Sequence, residues 1–314
     1  MIRILSAASA LTLMSGALTG AAYAQANPAC SDVTLADVGW TDITATTAVA
    51  TTLLEALGYD TDVKVLSVPI TYTSMAEGDI DVFLGNWMPT MEADIAPYRE
   101  AGTVDVVRTN LEGAKYTLAA NSAARDLGIA SFEDIAANAD ALDGKIYGIE
   151  PGNDGNRLIQ SMIEQDAFGL GGFEIVESSE QGMLAQVDRL TRREEPIVFL
   201  GWEPHPMNAN FDLTYLEGGD DFFGPDLGGA TVLTNTRAGY VADCPNVGRL
   251  LQNLEFTLAM ENEIMGAILN DGADPEDAAA DWLRANTGAL DGWLSGVTTL
   301  DGGDGLEAVT AALE

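Results

Sequence analysis

Two short stretches, one in each half of the chain, place a tryptophan beside glycine and proline directly after an apolar run. Gly85-Asn86-Trp87-Met88-Pro89 follows apolar residues 82–84, and Gly201-Trp202-Glu203-Pro204 follows apolar residues 197–200. Short apolar runs that end at glycine predict buried strands of an α/β sheet. Ligands of open α/β sheets bind beyond the carboxyl ends of the strands. Two such tryptophans therefore predict two lobes that close on a shared ligand.

Two further aromatic residues lie at predicted strands, Trp40 after residues 33–38 and Tyr116 within residues 114–120. With Trp87 and Trp202 they make four aromatic faces, which suit a quaternary ammonium group because this cation offers no N–H donor and is bound by ring quadrupoles. The alternative is that the rings are ordinary core packing. The shared Trp-x-Pro frame, which follows a glycine in both stretches, favours a binding site for Trp87 and Trp202.

Polar residues near the predicted strand ends could complete a site. Asp42 could offer a carboxylate to a cation or a hydroxyl group, or could be the N-cap of the following helix. Asn153 follows the strand predicted at 145–149 and could bond a ligand, or could simply serve the turn. His205, the one histidine of the sequence, has no Ser or Cys motif beside it, so we predict no catalytic site. We also predict no cofactor, and no metal, since the acidic turn 301–305 lacks EF-hand spacing.

Residues 1–24 have the pattern of a signal peptide, with Arg3, an apolar core and Ala22-Tyr23-Ala24 at the cleavage point. No later stretch has the length of a membrane helix, so we expect an exported, soluble protein. Its length is normal for two α/β lobes. Because disulfides persist in exported proteins, we predict that Cys30 and Cys244 are paired.

The net charge of −35 excludes nucleic acid as a partner, since nucleic-acid binding requires a basic face. A solvated acidic surface is the simplest interpretation of this charge. Long-range attraction of a cationic ligand is the functional alternative.

Strand and helix patterns alternate from residue 33 to 107 and again from 114 to 200, which predicts a parallel sheet covered on both faces. The tail after residue 229 is predicted to return to the first lobe through an extended segment and two helices at 247–269 and 277–283. We therefore expect lobe I at 25–111 and 228–314, lobe II at 112–227, and a hinge of two chain crossings.

The stretches 85–91 and 201–208 resemble the substrate-binding proteins of ABC transporters for glycine betaine and choline, and the resemblance extends over the chain after residue 24. It implies a two-lobed, type II Venus flytrap fold with two hinge crossings, periplasmic localisation, and a monomer that delivers its ligand to a permease in the inner membrane. It also implies one disulfide between Cys30 and Cys244. The ligand site that it implies comprises an aromatic box with two polar contacts to a ligand hydroxyl: Trp40, Trp87, Tyr116 and Trp202, with Asp42 and Asn153.

The choice of ligand depends on Asp42. The hydroxyl group of choline can donate to a carboxylate, whereas the carboxylate of betaine would be repelled by it, so choline is expected. Glycine betaine, trimethylamine N-oxide or another methylated cation is the alternative. A secreted hydrolase of choline compounds would need a nucleophile and a base that the sequence does not show. A chemotaxis sensor is a further alternative that the sequence leaves open.

Overall fold

The computed structural model describes residues 30–314, so the predicted signal peptide, residues 1–24, lies outside the described part. The strands of this part are β1 (Asp32–Asp37), β2 (Asp60–Val65), β3 (Val82–Met88), β4 (Val104–Asn121), β5 (Lys145–Tyr147), β6 (Glu174–Val176), β7 (Val198–Glu203), β8 (Leu213–Tyr215) and β9 (Gly229–Arg237). The helices are α1 (Thr41–Ala56), α2 (Val68–Glu77), α3 (Glu92–Ala101), α4 (Ser122–Asp126), α5 (Phe132–Ile135), α6 (Asp154–Glu164), α7 (Glu180–Arg192), α8 (Met207–Asn210), α9 (Asp220–Phe223), α10 (Pro225–Gly228), α11 (Tyr240–Asp243), α12 (Pro245–Asn253), α13 (Leu258–Leu269), α14 (Pro275–Ala285), α15 (Leu290–Trp293) and α16 (Gly305–Leu313).

All of these strands belong to one mixed sheet in the order β2-β1-β3-β9-β4-β7-β5-β6, with β8 beside β4. The strands are parallel on the two sides of the sheet, where β1 pairs with β2 and β3, and β5 pairs with β6 and β7. In the centre, β9 and β4 run antiparallel to each other and to their outer neighbours. The predicted parallel sheet is therefore right for the sides and wrong for the centre.

Strand β4 explains the difference, because it connects the two sides of the sheet. The alternating pattern predicts one strand at 104–107, at the end of its first part, and another at 114–120, whereas β4 is a single strand of 18 residues. Its first part pairs with β9, with register shifts between Val106 and Ala114, and its last part pairs with β7. The two chain crossings thus lie side by side as hydrogen-bonded strands. The fold is the two-lobed α/β fold that the sequence predicts, while the proposed lobe boundaries remain a prediction.

The strands that carry the two tryptophans are longer than predicted. Strand β3 continues to Met88 and β7 to Glu203, so Trp87 and Trp202 lie within strands rather than after them. Trp87 pairs with Val232 of β9, and Trp202 pairs with Tyr116 of β4. Both strands are followed by a cis X-Pro bond, at Pro89 and Pro204. Pairing with the central strands β9 and β4 therefore fixes the positions of Trp87 and Trp202.

The C-terminal tail returns to the first half of the chain. The helix predicted at 247–269 is two helices, α12 and α13, because Phe256 N donates to the Asn110 carbonyl (2.7 Å) and the Thr257 hydroxyl caps α13 at Met260 N (3.1 Å). Helix α1 is buried along almost its whole length, with α13 and α14 packed against it. The structure joins Cys30 to Cys244 by a disulfide, as predicted, with 5.5 Å between their Cα atoms.

Candidate functional site

A small cavity lies where the carboxyl-terminal parts of β3 and β7 meet the start of α1. It contains about 270 Å³ of empty space, part of which is open to solvent. Its lining residues are four aromatic residues, two aspartates and one isoleucine: Trp40, Trp87, Tyr116, Trp202, Asp42, Asp154 and Ile149. The four predicted aromatic residues are thus brought together, each 4–5% exposed. A cavity of this size and composition fits a compact apolar cation.

The aromatic rings are held by neighbouring elements at steep angles to one another. The Tyr116 ring lies 6.0 Å from that of Trp87 and 6.2 Å from that of Trp202, measured between centroids, at interplanar angles of 60° and 82°. Trp40 stands at the N-cap position of α1. Rings in these orientations form walls around a space instead of a single stack.

Carboxylates fix the orientation of two indoles. Trp87 Nε1 donates to Asp42 Oδ2 at 3.0 Å, and Trp40 Nε1 donates to Glu150 Oε1 at 2.9 Å. These bonds satisfy the polar edge of each indole, as buried tryptophan requires. The negative ring faces then remain available to a cation.

Asp42 lies in the first turn of α1 and is 1% exposed. The N-cap interpretation of Asp42 is wrong, because Trp40 is at the N-cap and makes no side-chain cap bond. While Oδ2 accepts from Trp87, the buried Oδ1 has no hydrogen-bond partner among the described residues. Burial, followed by repulsion from Glu180, raises the pKa of Asp42 to about 8, although the hydrogen bond from Trp87 acts to lower it. The cavity therefore contains a carboxyl oxygen that is free to meet a ligand.

Asn153 is held by bonds within the chain. It is the N-cap of α6, where its Oδ1 accepts from Asn156 N (3.0 Å) and from the Tyr116 hydroxyl (2.9 Å). Its Nδ2 donates to Asp154 Oδ1 at 3.0 Å. The cap role is thus present, and Asn153 is not among the residues that line the cavity. Its contact with a ligand stays a prediction, and what the structure shows is that it positions Tyr116.

Two lining residues, Ile149 and Asp154, are absent from the sequence prediction. Asp154 is the first residue of α6, where an acidic residue ordinarily complements the helix dipole, so its type and place gave no signal of a site. Ile149 ends an apolar run that the sequence assigns to the core. The sequence did contain one indication of a site here. Both residues lie close to Asn153, in the segment that joins a strand to the following helix, where ligands of α/β sheets bind.

His205 is buried and makes structural contacts. Its Nδ1 accepts from Met207 N at 2.9 Å, so the proton is on Nε2, which donates to Glu180 Oε1 at 3.2 Å. Its ring packs edge-on against Trp202 with 5.0 Å between centroids. His205 therefore supports the cavity wall from behind.

Side chains from the two halves of the chain meet around the cavity. Glu180 of α7 accepts from the Thr41 amide at 2.9 Å and from the Thr41 hydroxyl. Arg157 of α6 makes a two-point ion pair with Asp94 of α3, at 3.0 and 2.6 Å. Such contacts form only when α1 and α3 approach α6 and α7, so the cleft is closed.

No helix in the part of the chain that the structure describes combines the length and apolar character needed to span a membrane.

Comparison with known proteins gives the same family as the motifs. Residues 31–285 match the family model of the substrate binding domain of the ABC-type glycine betaine transport system. A solved ABC-transporter choline binding protein in complex with choline is 72% identical, with 91% of this chain and 99% of that chain covered and a TM-score of 0.90. The glycine betaine/carnitine transport binding protein GbuC of Listeria monocytogenes is 29% identical over 59% of this chain and 57% of that protein.

The chain belongs to the family of substrate-binding domains of ABC-type glycine betaine transport systems. It is a substrate-binding protein of a transport system, and its relatives are not enzymes, so the hydrolase alternative is rejected. Substrate-binding proteins of ABC importers are periplasmic and pass their ligand to a permease in the inner membrane.

A second solved structure, an ABC-transporter choline binding protein in an unliganded semi-closed conformation, is also 72% identical, with 91% of this chain and 99% of that chain covered. Its TM-score is 0.84, against 0.90 for the choline complex.

Proposed function

We propose that this protein binds choline in the aromatic cavity and delivers it to an ABC permease. The observation that carries the proposal is that Asp42, whose Oδ1 has no partner among the described residues, lines a cavity together with four aromatic rings. The rings suit the trimethylammonium group, since a desolvated cation–π contact is worth about 2 kcal/mol. Asp42 suits the hydroxyl group, which can donate to a carboxylate. The 72% identical choline complex supports the same ligand.

Glycine betaine is the second candidate, because the family model is that of a betaine system. Its carboxylate would enter a buried cavity that Asp154 also lines, and a like charge on Asp154 at such a site strongly disfavours it. We therefore place betaine behind choline.

Further parts of the proposal concern export and closure. Residues 1–24 direct the chain to the periplasm and are removed before Gln25. Lobe I (25–111 and 228–314) and lobe II (112–227) then close on choline about the central strands β4 and β9, using Trp40, Asp42, Trp87, Tyr116, Asn153 and Trp202 as the ligand-binding residues.

The test is isothermal titration of ligand-free protein with choline, glycine betaine and trimethylamine N-oxide in parallel. We expect choline to bind most tightly. Tighter binding of betaine would contradict the role of Asp42 and leave the aromatic cavity intact. Failure of all three to bind would contradict the proposed function.

A further inference from the structure

A second acidic residue, Asp154, also lines the cavity, and one of its carboxylate oxygens has no partner among the described residues. Asp154 is fully buried, and its Oδ1 accepts from Asn153 Nδ2 at 3.0 Å. Its Oδ2 is buried without a hydrogen-bond partner among the described residues. The Thr90 hydroxyl lies close enough to lower the pKa of Asp154, although its own bond goes to the Trp87 carbonyl at 3.4 Å. A buried carboxylate oxygen without a partner is costly, so its retention needs a reason.

Neighbouring charges do not satisfy this oxygen. Arg157, one turn along α6, is close enough to favour ionised Asp154, but both of its terminal nitrogens are bonded to Asp94. The other charged groups around Asp154, which include Asp94 and Glu150, are acidic. No cationic group among the described residues is therefore left to pair with the Asp154 Oδ2 atom.

The two cavity carboxyl groups differ in charge at neutral pH. The pKa of Asp42 is raised to about 8, so Asp42 is mostly protonated at pH 7. Burial and repulsion from Asp94 raise the pKa of Asp154 only to about 6, because the Thr90 hydroxyl and Arg157 oppose the rise, so Asp154 is mostly ionised. The negative charge of the cavity thus resides mainly on Asp154.

We propose that Asp154 supplies the counter-charge for the quaternary ammonium group and makes the cavity select cations over neutral molecules of the same shape. This inference rests on the proposed function. It divides the recognition of the ligand between the two carboxyl groups, with Asp42 facing the hydroxyl group and Asp154 facing the charge. Aromatic rings alone also accept neutral apolar groups, so selection by charge requires such a residue.

The experiment compares wild type with Asp154→Asn by calorimetric titration of three probes: choline, tetramethylammonium and 3,3-dimethylbutan-1-ol, the neutral carbon analogue of choline. Asp154→Asn is expected to weaken choline and tetramethylammonium by at least about tenfold, while the neutral analogue keeps its affinity. Glu164→Gln, which removes one exposed charge from the same helix, is the matched control and should bind as wild type does.

The melting temperature of each ligand-free variant reports on folding. Because Asp154→Asn removes a buried carboxylate, this variant should melt at or above the temperature of wild type; Asp154→Ser is the second neutral variant if Asp154→Asn does not fold. Equal weakening of all three probes, or unchanged choline binding, would overturn the role of Asp154. Failure of the proposed function would look different, since wild type would then bind neither cation.

Discussion

At the scale of the residue, the site combines aromatic rings with carboxyl groups. The charge of each carboxyl group depends on its burial, on neighbouring acidic groups and on whether a cation is bound. Burial, followed by repulsion from Glu180, raises the pKa of Asp42 to about 8, and Asp42 in turn adds to the burial that raises the pKa of Glu261. A bound cation acts in the opposite direction, because it favours the ionised carboxylate. Ligand binding and proton release by Asp42 are therefore linked.

This linkage predicts the pH dependence of binding. Below pH 8 the ligand-free protein holds a proton on Asp42 that the complex releases, so choline affinity should rise from pH 6 to pH 8 and then level off. Titration at pH 7 in two buffers with different ionisation enthalpies measures the released protons directly. The Asp42→Asn variant should release fewer protons than wild type. Affinity that is constant between pH 6 and 8 would contradict the raised pKa.

The sequence could reveal the aromatic residues but not the carboxyl network. Trp87 and Trp202 share a frame of glycine and proline, and that pattern is visible along the chain. Asp154 looks like any acidic residue in a first helical turn, and the contact of Glu180 with Thr41 joins residues 139 positions apart. Contacts over such distances depend on how the lobes close, which no local pattern encodes.

At the scale of the element, the walls of the cavity depend on close approaches between neighbouring elements.

The predicted alternation of strands and helices identified most of the longer helices and the outer strands, because amphipathic patterns are local. It predicted most of β4 and β9 as extended segments but missed their antiparallel direction, since the direction of a strand that crosses between lobes is set by topology. It also missed the break between α12 and α13, which depends on a bond from Phe256 to Asn110 of the distant β4.

Gly155 provides a test of one such approach, between α6 and β4. A Cβ atom at Gly155 would lie 2.1 Å from the Tyr116 hydroxyl oxygen, so Gly155→Ala must displace that ring. We expect Gly155→Ala to weaken choline binding by about tenfold or more, as measured by titration, because the ring contributes a cation–π contact.

A matched glycine in another helix controls for the change itself. A Cβ atom at Gly266 of α13 would meet no atom within 4 Å. Gly266→Ala should keep choline affinity and raise the free energy of unfolding by about 0.5–1 kcal/mol, because alanine favours the helix. Equal choline affinity in Gly155→Ala and Gly266→Ala would show that the position of Tyr116 does not matter.

At the scale of the whole molecule, binding is a closure between two lobes that the chain crosses twice. The contacts of Thr41 with Glu180, and of Asp94 with Arg157, exist only in the closed arrangement. In such a protein the free energy of binding includes the contacts to the ligand and the contacts between the closed lobes. Residues outside the cavity therefore also affect the dissociation constant.

Thr41→Val tests this division because it removes a hydroxyl that donates across the cleft, and Thr41 is not itself one of the residues that line the cavity. A hydrogen bond to a charged group is worth about 1.5–3 kcal/mol, so choline affinity should fall by about tenfold or more, mainly through faster dissociation. Stopped-flow measurement of dissociation checks this.

Thr44→Val is the matched control, since the Thr44 hydroxyl donates to Asp37 within the same part of the chain (2.7 Å). It should lower the stability of the fold without changing the dissociation rate. If Thr41→Val and Thr44→Val dissociate from choline at the same rate, the cross-cleft contact has no role in holding the closed state.

The most direct test of choline binding in the aromatic cavity is a choline titration of Trp87→Ala and Trp202→Ala beside Trp282→Ala. Trp282 is an indole outside the cavity, bonded to Glu263 and stacked on Trp293. We predict that each cavity variant loses about 1–2 kcal/mol or more of binding free energy, while Trp282→Ala binds as wild type does. Wild-type affinity in both cavity variants would contradict the account.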